Sequence, residues 1–516
     1  MEAVAELPPS FAEKQRASEK RVSANHAIKV FFGSNALVAI IVLALITIFL
    51  FREGFGFFGQ NLTNIRIYRQ SGQEYVDIIR TYAEAHTALS RGLNTVRLKE
   101  QRAVGDADPS LAAFDEFATA FSDAAEPLNG VLSDAGDLAS TLKAQLAAQS
   151  GAIDQKLEAG EPTGNVAAVP QQQALAQLLQ NTAKFEAAAT TMRPQIETLL
   201  ANSPKLQDVQ AQNGLKKWKQ RARDYVAALT NGPTELRAWS PDKPVAWHRA
   251  ITSFLFGRDW VTASFWQDWY GIIPLFVGSV LVSVVALAMA VPFGVASAIY
   301  VSEVASPNEK RFIKPYIEFI AAIPSVVLGF FGIAVVGQAI RAASESHWLS
   351  CISFFPLSER LNIFTAGTLL ALMAIPTIFT LSEDALRNVP RGFKEASYAL
   401  GANRFQTILR VLVPASLSGI VSAILLGLGR VIGETMVVLL CAGNRIQIPD
   451  FTEGLGAFFQ PAHTMTGIIA QEMGEVVRGS IHYRALFMVG LVLFALTLLI
   501  NYAAQRLVAR YRMSIG

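Results

Sequence analysis

Six long apolar stretches with few charged residues stand out along the chain, and five of them lie in its second half. A helix that crosses a membrane needs about 20 mainly apolar residues. The predicted spans are Val30–Phe51, Trp269–Ser302, Pro315–Ile340, Phe364–Leu381, Ser416–Ala442 and Ala485–Ala504. The first is too long for a signal-peptide core and no small-residue cleavage site ends it, so we expect it to be retained. Pro324 and Pro376 lie inside two spans, where we expect packing kinks.

The segment between the first two predicted spans, residues 52–268, has a different pattern. Apolar side chains recur there every three or four residues, as in Tyr75, Ile78 and Tyr82, and the run Gly160–Gly164 indicates a loop. Helices with such stripes bury them by packing together, which predicts a bundle of about four helices. The alternative is an Ala/Gln-rich coiled segment lying on a partner. Nothing in this segment indicates catalysis.

The composition supports a membrane protein with a polar insertion. Hydrophobic residues make up 52% of the chain and charged residues only 16%, against about 25% charged residues in soluble domains. Of the 85 charged residues, only 30 follow Gly271. These values exclude a single soluble globule and a disordered chain. The net charge of +3 gives no case for nucleic-acid binding.

The predicted fold is therefore all-α: a polytopic membrane protein with six transmembrane helices and a helical bundle inserted between spans one and two. Its predicted parts are a basic N-terminus at 1–29, span one at 30–51, the insertion at 52–268 and a five-span core at 269–516. Cys351 and Cys441 are too few for a disulfide framework or a zinc site. We expect two free thiols, with a single bridge as the alternative.

Basic residues predict the orientation of the spans, because cytoplasmic loops carry an excess of Lys and Arg. Residues 1–29 hold five such residues, and further groups follow spans two, four and six. These groups comprise Lys310, Arg311 and Lys314; Arg387, Arg391, Lys394, Arg404 and Arg410; and Arg506, Arg510 and Arg512. With six spans all of them fall on one side. Both termini are therefore expected in the cytoplasm, and residues 52–268 outside the cell.

One cytoplasmic loop, residues 385–414, carries a spaced motif. It reads Glu395-Ala396-Ser397-Tyr398-Ala399-Leu400-Gly401, then nine residues, then Val411-Leu412-Val413-Pro414. This pattern predicts a short amphipathic helix, a glycine turn, a second amphipathic helix and a proline that re-enters the membrane. Glu395 is expected near a helix start, where the helix dipole favours a carboxylate. An apolar face of Leu400, Phe405, Ile408 and Leu409 would suit docking to a partner; the alternative is an ordinary linker.

This loop resembles the EAA loop of ABC-importer permeases, whose spacing is EAA-x3-G-x9-I-x-LP. The spacing matches in full, and Ser397, Val411 and Val413 replace residues of similar size. The resemblance implies that the loop is the coupling helix that fits an ATPase subunit, with Glu395, Ala396, Ser397, Gly401 and Pro414 as its coupling residues.

Several further stretches narrow the resemblance to the phosphate permeases of the Pst type, and to their C-type subunit. They are Phe254–Trp260, Pro274–Ser283 with the run to Glu303, Ile323–Gly332, Gly427–Met436 and Gly479–Tyr483. The resemblance covers span one and everything after about Ile251, whereas the insertion has no recognised counterpart. It implies a bacterial inner-membrane protein in contact with lipid. The implied partners are an A-type second permease, an ATPase dimer and an extracytoplasmic phosphate-binding protein.

Two charges inside the fifth predicted span are the candidate transport residues. Arg430 lies about 24 Å along the helix from Pro414, where a charge costs roughly 2.5–3.5 kcal/mol. Glu434 follows at i+4, so both would share one helix face and could pair. Such residues usually line a water-filled route or a subunit interface, and the resemblance implies a role in transport. The alternative is a pair that only locks span five to a neighbour. Gly429 and Gly433 form a G-x-x-x-G motif that permits close helix packing.

Nucleotide and metal signals are absent from the sequence. There is no G-x-x-x-x-G-K-[ST] motif, so we expect no cofactor on this chain and ATP use by a separate subunit. The six histidines show no metal-ligand spacing, and no arrangement suggests an enzyme.

The sequence predicts a permease subunit of an ATP-driven phosphate importer that works by alternating access. Three alternatives stay open: a permease for sulfate, molybdate or phosphonate, a membrane sensor with an outer helical domain, and a transporter whose outer bundle is a docking or regulatory module.

Overall fold

The computed structural model describes residues 11–105, 108–158, 169–262, 264–346, 357 and 359–511. Cys351 and the predicted loop Gly160–Gly164 lie outside these residues. The chain divides into two compact units. The span-bearing unit comprises Met1–Gly59, Phe254–Trp260 and Tyr270–Gly516, and the inserted unit comprises Gln60–Ser253 and Val261–Trp269. The boundary falls within the first helix, α1 (Phe11–Gln70).

The inserted unit is a helical bundle, as predicted. Its helices are α2 (Gln73–Val104), α3 (Pro109–Asp123), α4 (Glu126–Glu158), α5 (Val169–Ala201), α6 (Val209–Leu229) and α7 (Gly232–Ala238). A sharp turn at Gly72, whose φ of 75° suits glycine, separates α1 from α2. Asp108 and Asp208 cap α3 and α6 by accepting hydrogen bonds from backbone N–H groups of the first turn.

Apolar side chains from all six of these helices form one core. Its largest fully buried members are Tyr75, Phe114, Phe121, Phe185, Ile79, Leu93, Leu128, Leu142 and Leu178. The α4 stripe is built on alanines, including Ala135 and Ala139, which are fully buried. Because alanine gives a weak periodic signal, this helix had no predicted stripe of its own, and the described part of the unit holds six helices rather than about four.

Two short paired strands, β1 (Trp260–Val261) and β2 (Trp269–Tyr270), follow α8 (His248–Leu255). The remaining helices of the span-bearing unit come next. They are α9 (Ile273–Ile299), α10 (Pro307–Ala321), α11 (Ser325–Phe331), α12 (Gly337–Ser344), α13 (Ile363–Arg387), α14 (Arg391–Ala399), α15 (Arg404–Thr407), α16 (Val413–Gly433), α17 (Met436–Cys441), α18 (Met465–Glu472) and α19 (Ile481–Tyr511). Single π-helical turns lie at Tyr300–Val304, Gly332–Val336 and Ile408–Leu412, and a 3₁₀ segment at Phe451–Phe459.

Within the residues that the structure describes, six helical stretches are long and apolar enough to cross a membrane, which confirms the predicted number. They are Phe31–Gln70, Ile273–Val304, Ser325–Ser344, Ile363–Arg387, Arg404–Gly433 and Ile481–Arg506. The third differs from its prediction. Pro324 does not kink a span but caps the start of α11, because a residue with a fixed φ and no N–H donor is well tolerated at a helix start. Pro376 does lie inside α13, as predicted.

The fourth span, α13, is the centre of this unit and packs against both α9 and α16. Glycines on the two neighbours allow the close approach: a Cβ placed at Gly294 or Gly427 would lie 2.9 or 2.8 Å from the side chain of Ile378. Small residues commonly serve this purpose between membrane helices.

Candidate functional site

The loop between the fourth and fifth spans has the predicted helix–turn–helix form. Helix α14 ends at Ala399, and Gly401 follows with a φ of 81°. Asn403 then starts α15, and its side chain and that of Gln406 form a reciprocal capping box. A π-helical turn leads from α15 into α16, where Pro414 lies in the first turn. Glycine is needed at this turn because the backbone of Gly401 is left-handed, a conformation that other residues rarely adopt.

Two details of this loop differ from the prediction. Glu395 is the fifth residue of α14 and lies in mid-helix, because the helix begins at Arg391 after Pro390. Ile408 points inward and is only 5% exposed. Its place on the exposed surface is taken by Tyr398, which the prediction left out.

The exposed apolar side chains of the loop form a surface that we call the coupling face: Phe393, Tyr398, Leu400, Phe405 and Leu409. Leu400 at its tip is 89% exposed and Phe405 is 69% exposed. Glu395 and Ala396 are exposed in the same loop. An open cavity of about 330 Å³ adjoins this face and is lined in part by Ala396, Leu400 and Val411. An exposed apolar surface of this kind is typical of a docking site.

Ser397 points away from the coupling face and is 8% exposed. Its hydroxyl lies 2.9 Å from that of Thr407, which is fully buried on the next helix segment. This hydrogen bond joins α14 to α15 and gives the serine at this motif position a structural role. Thr407 was not among the predicted residues, because only the folded loop brings positions ten apart together.

The predicted fifth span is not one continuous helix. It ends at Gly433, and Glu434 adopts an extended backbone with φ −75° and ψ 133° before α17 begins at Met436. The Glu434 carboxylate accepts a hydrogen bond from the Met436 N–H at 3.1 Å. Its backbone carbonyl accepts one from the Thr466 hydroxyl at 2.9 Å. These contacts satisfy the groups that a helix break leaves unpaired.

This break corrects the predicted pairing of Arg430 with Glu434. The i,i+4 geometry requires a continuous helix, and among the described residues there is no ion pair between these two side chains. Arg430 instead lies in the last turn of α16, is exposed, and donates from Nη1 to the Thr377 hydroxyl at 3.2 Å. A helix C-terminus is a favourable place for a cation.

Gly429 and Gly433 lie next to this arginine, and no described atom of the chain lies within 4 Å of a Cβ placed at either position. The prediction that another helix packs closely against Gly429 and Gly433 therefore concerns a helix of a second chain. In the part of the chain that the structure describes, no group of three metal-binding side chains occurs.

Comparisons with known proteins show what this chain is similar to. The family described as "Binding-protein-dependent transport system inner membrane component" matches residues 290–513. The probable ABC transporter permease protein YqgH of Bacillus subtilis is 37% identical over 46% of this chain and 72% of that protein. The phosphate transport system permease protein PstC of Haemophilus influenzae is 31% identical over 51% of this chain and 84% of its own length. The phosphate transport system permease protein PstC 1 of Mycobacterium tuberculosis is 34% identical over 47% of this chain and 73% of its own length.

Among solved structures, a chain of the MetNI methionine ABC transporter in inward-facing conformations is 21% identical over 47% of this chain and 94% of that chain. The TM-score is 0.34, which is too low to add to the comparison.

Proposed function

Since this chain belongs to the family of binding-protein-dependent transport system inner membrane components, we propose that it is the permease subunit of an ATP-driven importer for inorganic phosphate. The proposed substrate rests on the similarity to phosphate transport permeases from several bacteria. Two of them are 31% identical to this chain over more than four fifths of their own length. The six membrane-crossing helices are consistent with a multi-pass protein of the inner membrane.

The proposed machine needs other subunits. An A-type permease would complete the path, and an extracytoplasmic phosphate-binding protein would deliver the anion. An ATPase dimer would dock on the coupling face, which is exposed and apolar. This chain would bind no nucleotide itself, because it has no P-loop motif. The basic loops favour an orientation with the coupling loop and both termini in the cytoplasm.

Arg430 is the residue that we propose acts on the anion. Its guanidinium is exposed, and among the described residues it bonds only to the Thr377 hydroxyl. A guanidinium with free N–H groups suits a phosphate oxygen, which it can bind in bidentate fashion. A charge held inside a membrane-spanning helix is costly and usually serves a polar route. The alternating-access motion would then expose this site to each side of the membrane in turn.

We propose a different role for Glu434. Its carboxylate is occupied in capping α17, and its carbonyl is bonded by Thr466. It would therefore maintain the break in the fifth span and keep Arg430 at a helix end.

Uptake of labelled phosphate in a strain that lacks the chromosomal copy of the gene tests the proposal. Wild-type protein should restore saturable uptake that excess phosphate blocks and excess sulfate, molybdate or phosphonate does not. Arg430→Gln should abolish uptake while leaving assembly with the ATPase intact. Arg311→Gln is the control, since Arg311 is an exposed arginine of α10. Normal uptake by Arg430→Gln would refute its role, and competition by sulfate alone would refute the substrate.

A further inference from the structure

Glu303 lies at the end of the second span, in the π-helical turn Tyr300–Val304 that follows α9. Its side chain is only 8% exposed. A carboxylate is rarely buried unless it is paired, because removal from water costs free energy that only a partner can offset. The partners of Glu303 therefore indicate what its position is for.

These partners come from the coupling loop. Lys394, in the middle of α14, donates from Nζ to Glu303 Oε1 at 2.7 Å. Ser302 donates its hydroxyl to the same oxygen at 3.0 Å. The backbone carbonyl of Glu303 accepts a hydrogen bond from Arg404, the first residue of α15. One residue of the second span thus holds both helices of the coupling loop.

The coupling loop is also joined internally, through the Ser397–Thr407 hydrogen bond. Behind it, Ile408 and Leu412 of the π-helical turn belong to the same buried apolar cluster as Val301 of the second span. The ion pair and this cluster attach the loop to the second span, whereas the side chains of the coupling face are exposed. A displacement of the loop would therefore move the end of the second span with it.

A second buried carboxylate provides a comparison within the same unit. Glu383 of α13 is paired with Lys314 at 2.9 Å and Arg387 at 3.5 Å, and its side chain is 5% exposed. Neither of these two basic residues belongs to the coupling loop's helices. The two acidic residues are thus alike in burial and differ in what they attach.

We propose that Glu303 is a positioning residue for transport: through its ion pair with Lys394 it transmits movement of the coupling loop to the second span. This proposal rests on the proposed function. π-Helical turns are frequent at functional sites; Glu303 lies in one of them, and the turn Ile408–Leu412 shares a buried cluster with Val301. A surface ion pair would contribute little, but this carboxylate is buried and holds two helices.

The test uses the complete transporter, purified with its ATPase and binding protein and reconstituted in liposomes. The measured quantity is phosphate transported per ATP hydrolysed. Glu303→Gln and Lys394→Gln should each lower this ratio by about tenfold or more while the ATPase stays bound. The double variant Glu303→Lys with Lys394→Glu should recover a substantial part of the ratio, because it restores opposite charges at the same two positions.

Two control variants separate this role from general stability. Glu383→Gln removes a carboxylate of similar burial whose partners, Lys314 and Arg387, lie outside α14 and α15, and Arg391→Gln removes an exposed charge of α14. Both should keep the ratio within about twofold of wild type, because neither change touches the Glu303–Lys394 pair.

A ratio within twofold of wild type in Glu303→Gln would overturn the proposal. Loss of ATPase binding in Lys394→Gln would also overturn it, because the pair would then serve docking. If wild-type complexes move no phosphate at all, the proposed function fails instead.

Discussion

The inserted unit and the span-bearing unit treat their aromatic and aliphatic side chains in opposite ways. In the inserted unit Tyr75, Phe114, Phe121 and Phe185 are completely buried in one core. In the span-bearing unit Phe379 is buried as well, but many side chains of the same kinds are exposed, among them Phe312, Phe319, Phe330, Leu400 and Phe405. The first unit buries most of its apolar stripes by itself, and the second leaves a larger share of them for other molecules.

This difference shows where partners are needed. Exposed apolar surface is unfavourable in water and is covered by lipid or by protein. The most apolar part of the first span has none of its residues buried in the chain, which suits lipid or another subunit. On the coupling face, apolar side chains alternate with exposed Glu395 and Gln406. That mixture suits a protein partner better than hydrocarbon.

The largest expected effect on partner binding is therefore at the tip of the coupling face. Leu400→Asp places a charge in the proposed apolar contact, so we expect the affinity for the ATPase subunit to fall by about a hundredfold or more. The fold should persist, because Leu400 is 89% exposed. Co-purification and binding titration with the ATPase subunit measure the effect.

Leu455→Asp is the matched control for that variant. Leu455 is 69% exposed and lies in the 3₁₀ segment Phe451–Phe459, outside the coupling loop. Its binding should equal that of wild type. Equal loss in both variants would mean that the effect is general, and unaltered binding in Leu400→Asp would remove the coupling face from the interface.

In the inserted unit the largest effect should come from a core aromatic residue. Phe121 is fully buried, lies parallel to His86 with ring centroids 4.4 Å apart, and meets the edge of Trp218 at 4.9 Å. We expect Phe121→Ala to lower the free energy of opening of α3 and its neighbours by about 3–5 kcal/mol. Hydrogen exchange of the intact protein measures it helix by helix.

Phe265→Ala serves as the control for the core variant. Phe265 belongs to the same unit but is 85% exposed, so its loss should change protection by no more than about 0.5 kcal/mol. Similar values for the two variants would contradict the view that this unit buries its own apolar surface.

The number of spans and the bundle could be predicted because length and periodicity are local properties of the sequence. The ends of the spans could not be predicted in the same way. The third span was placed from Pro315, but α10 is a separate helix with no fully buried residue and the span begins after Pro324. The apolar residues on either side of the proline form one hydrophobic stretch, and hydropathy alone cannot separate them.

Only part of the candidate site was predicted, again because a sequence pattern shows local features and not distant contacts. The spacing of the coupling motif fixed the helix, the glycine turn and the re-entry proline, because those are local features. The break at Glu434 depends on Thr466, which is 32 residues away, and the attachment of Lys394 depends on Glu303, 91 residues away. Lys394 entered the sequence argument only as a charge that sets orientation. Contacts at such separations require the folded structure.

A smaller effect is expected at the polar edge of the bundle, around Glu74. Burial raises the Glu74 pKa, but hydrogen bonds and charge from Arg69 at 2.5 Å, together with Arg249 and Trp239, outweigh it and hold the pKa below its ordinary value. A carboxyl whose folded pKa is lowered contributes stability above its ordinary pKa and loses it as the pH falls through the folded pKa.

Glu74→Gln should therefore lower the free energy of opening at the start of α2 by about 2 kcal/mol at pH 7. The difference from wild type should shrink as the pH falls below the ordinary value of 4.5. Hydrogen exchange at several pH values measures this difference. The control is Glu84→Gln, which changes an exposed residue of the same helix. A difference that does not depend on pH would assign the effect to packing.

The smallest effect is expected at Ser397, where the buried and the exposed side of the coupling loop meet. Its hydroxyl faces inward to Thr407 while its neighbours face solvent, so it supports the coupling face without belonging to it. Ser397→Ala removes one hydrogen bond, which is worth about 1 kcal/mol, and leaves the Thr407 hydroxyl bonded to the Asn403 carbonyl at 3.1 Å. We expect ATPase affinity to fall by less than about fivefold. Thr407→Val also removes the hydrogen bond to the Asn403 carbonyl, so it should cost somewhat more, and adding Ser397→Ala to it should change little, because the bond between the two hydroxyls is already lost. A hundredfold loss in Ser397→Ala would instead place this side chain in the interface itself.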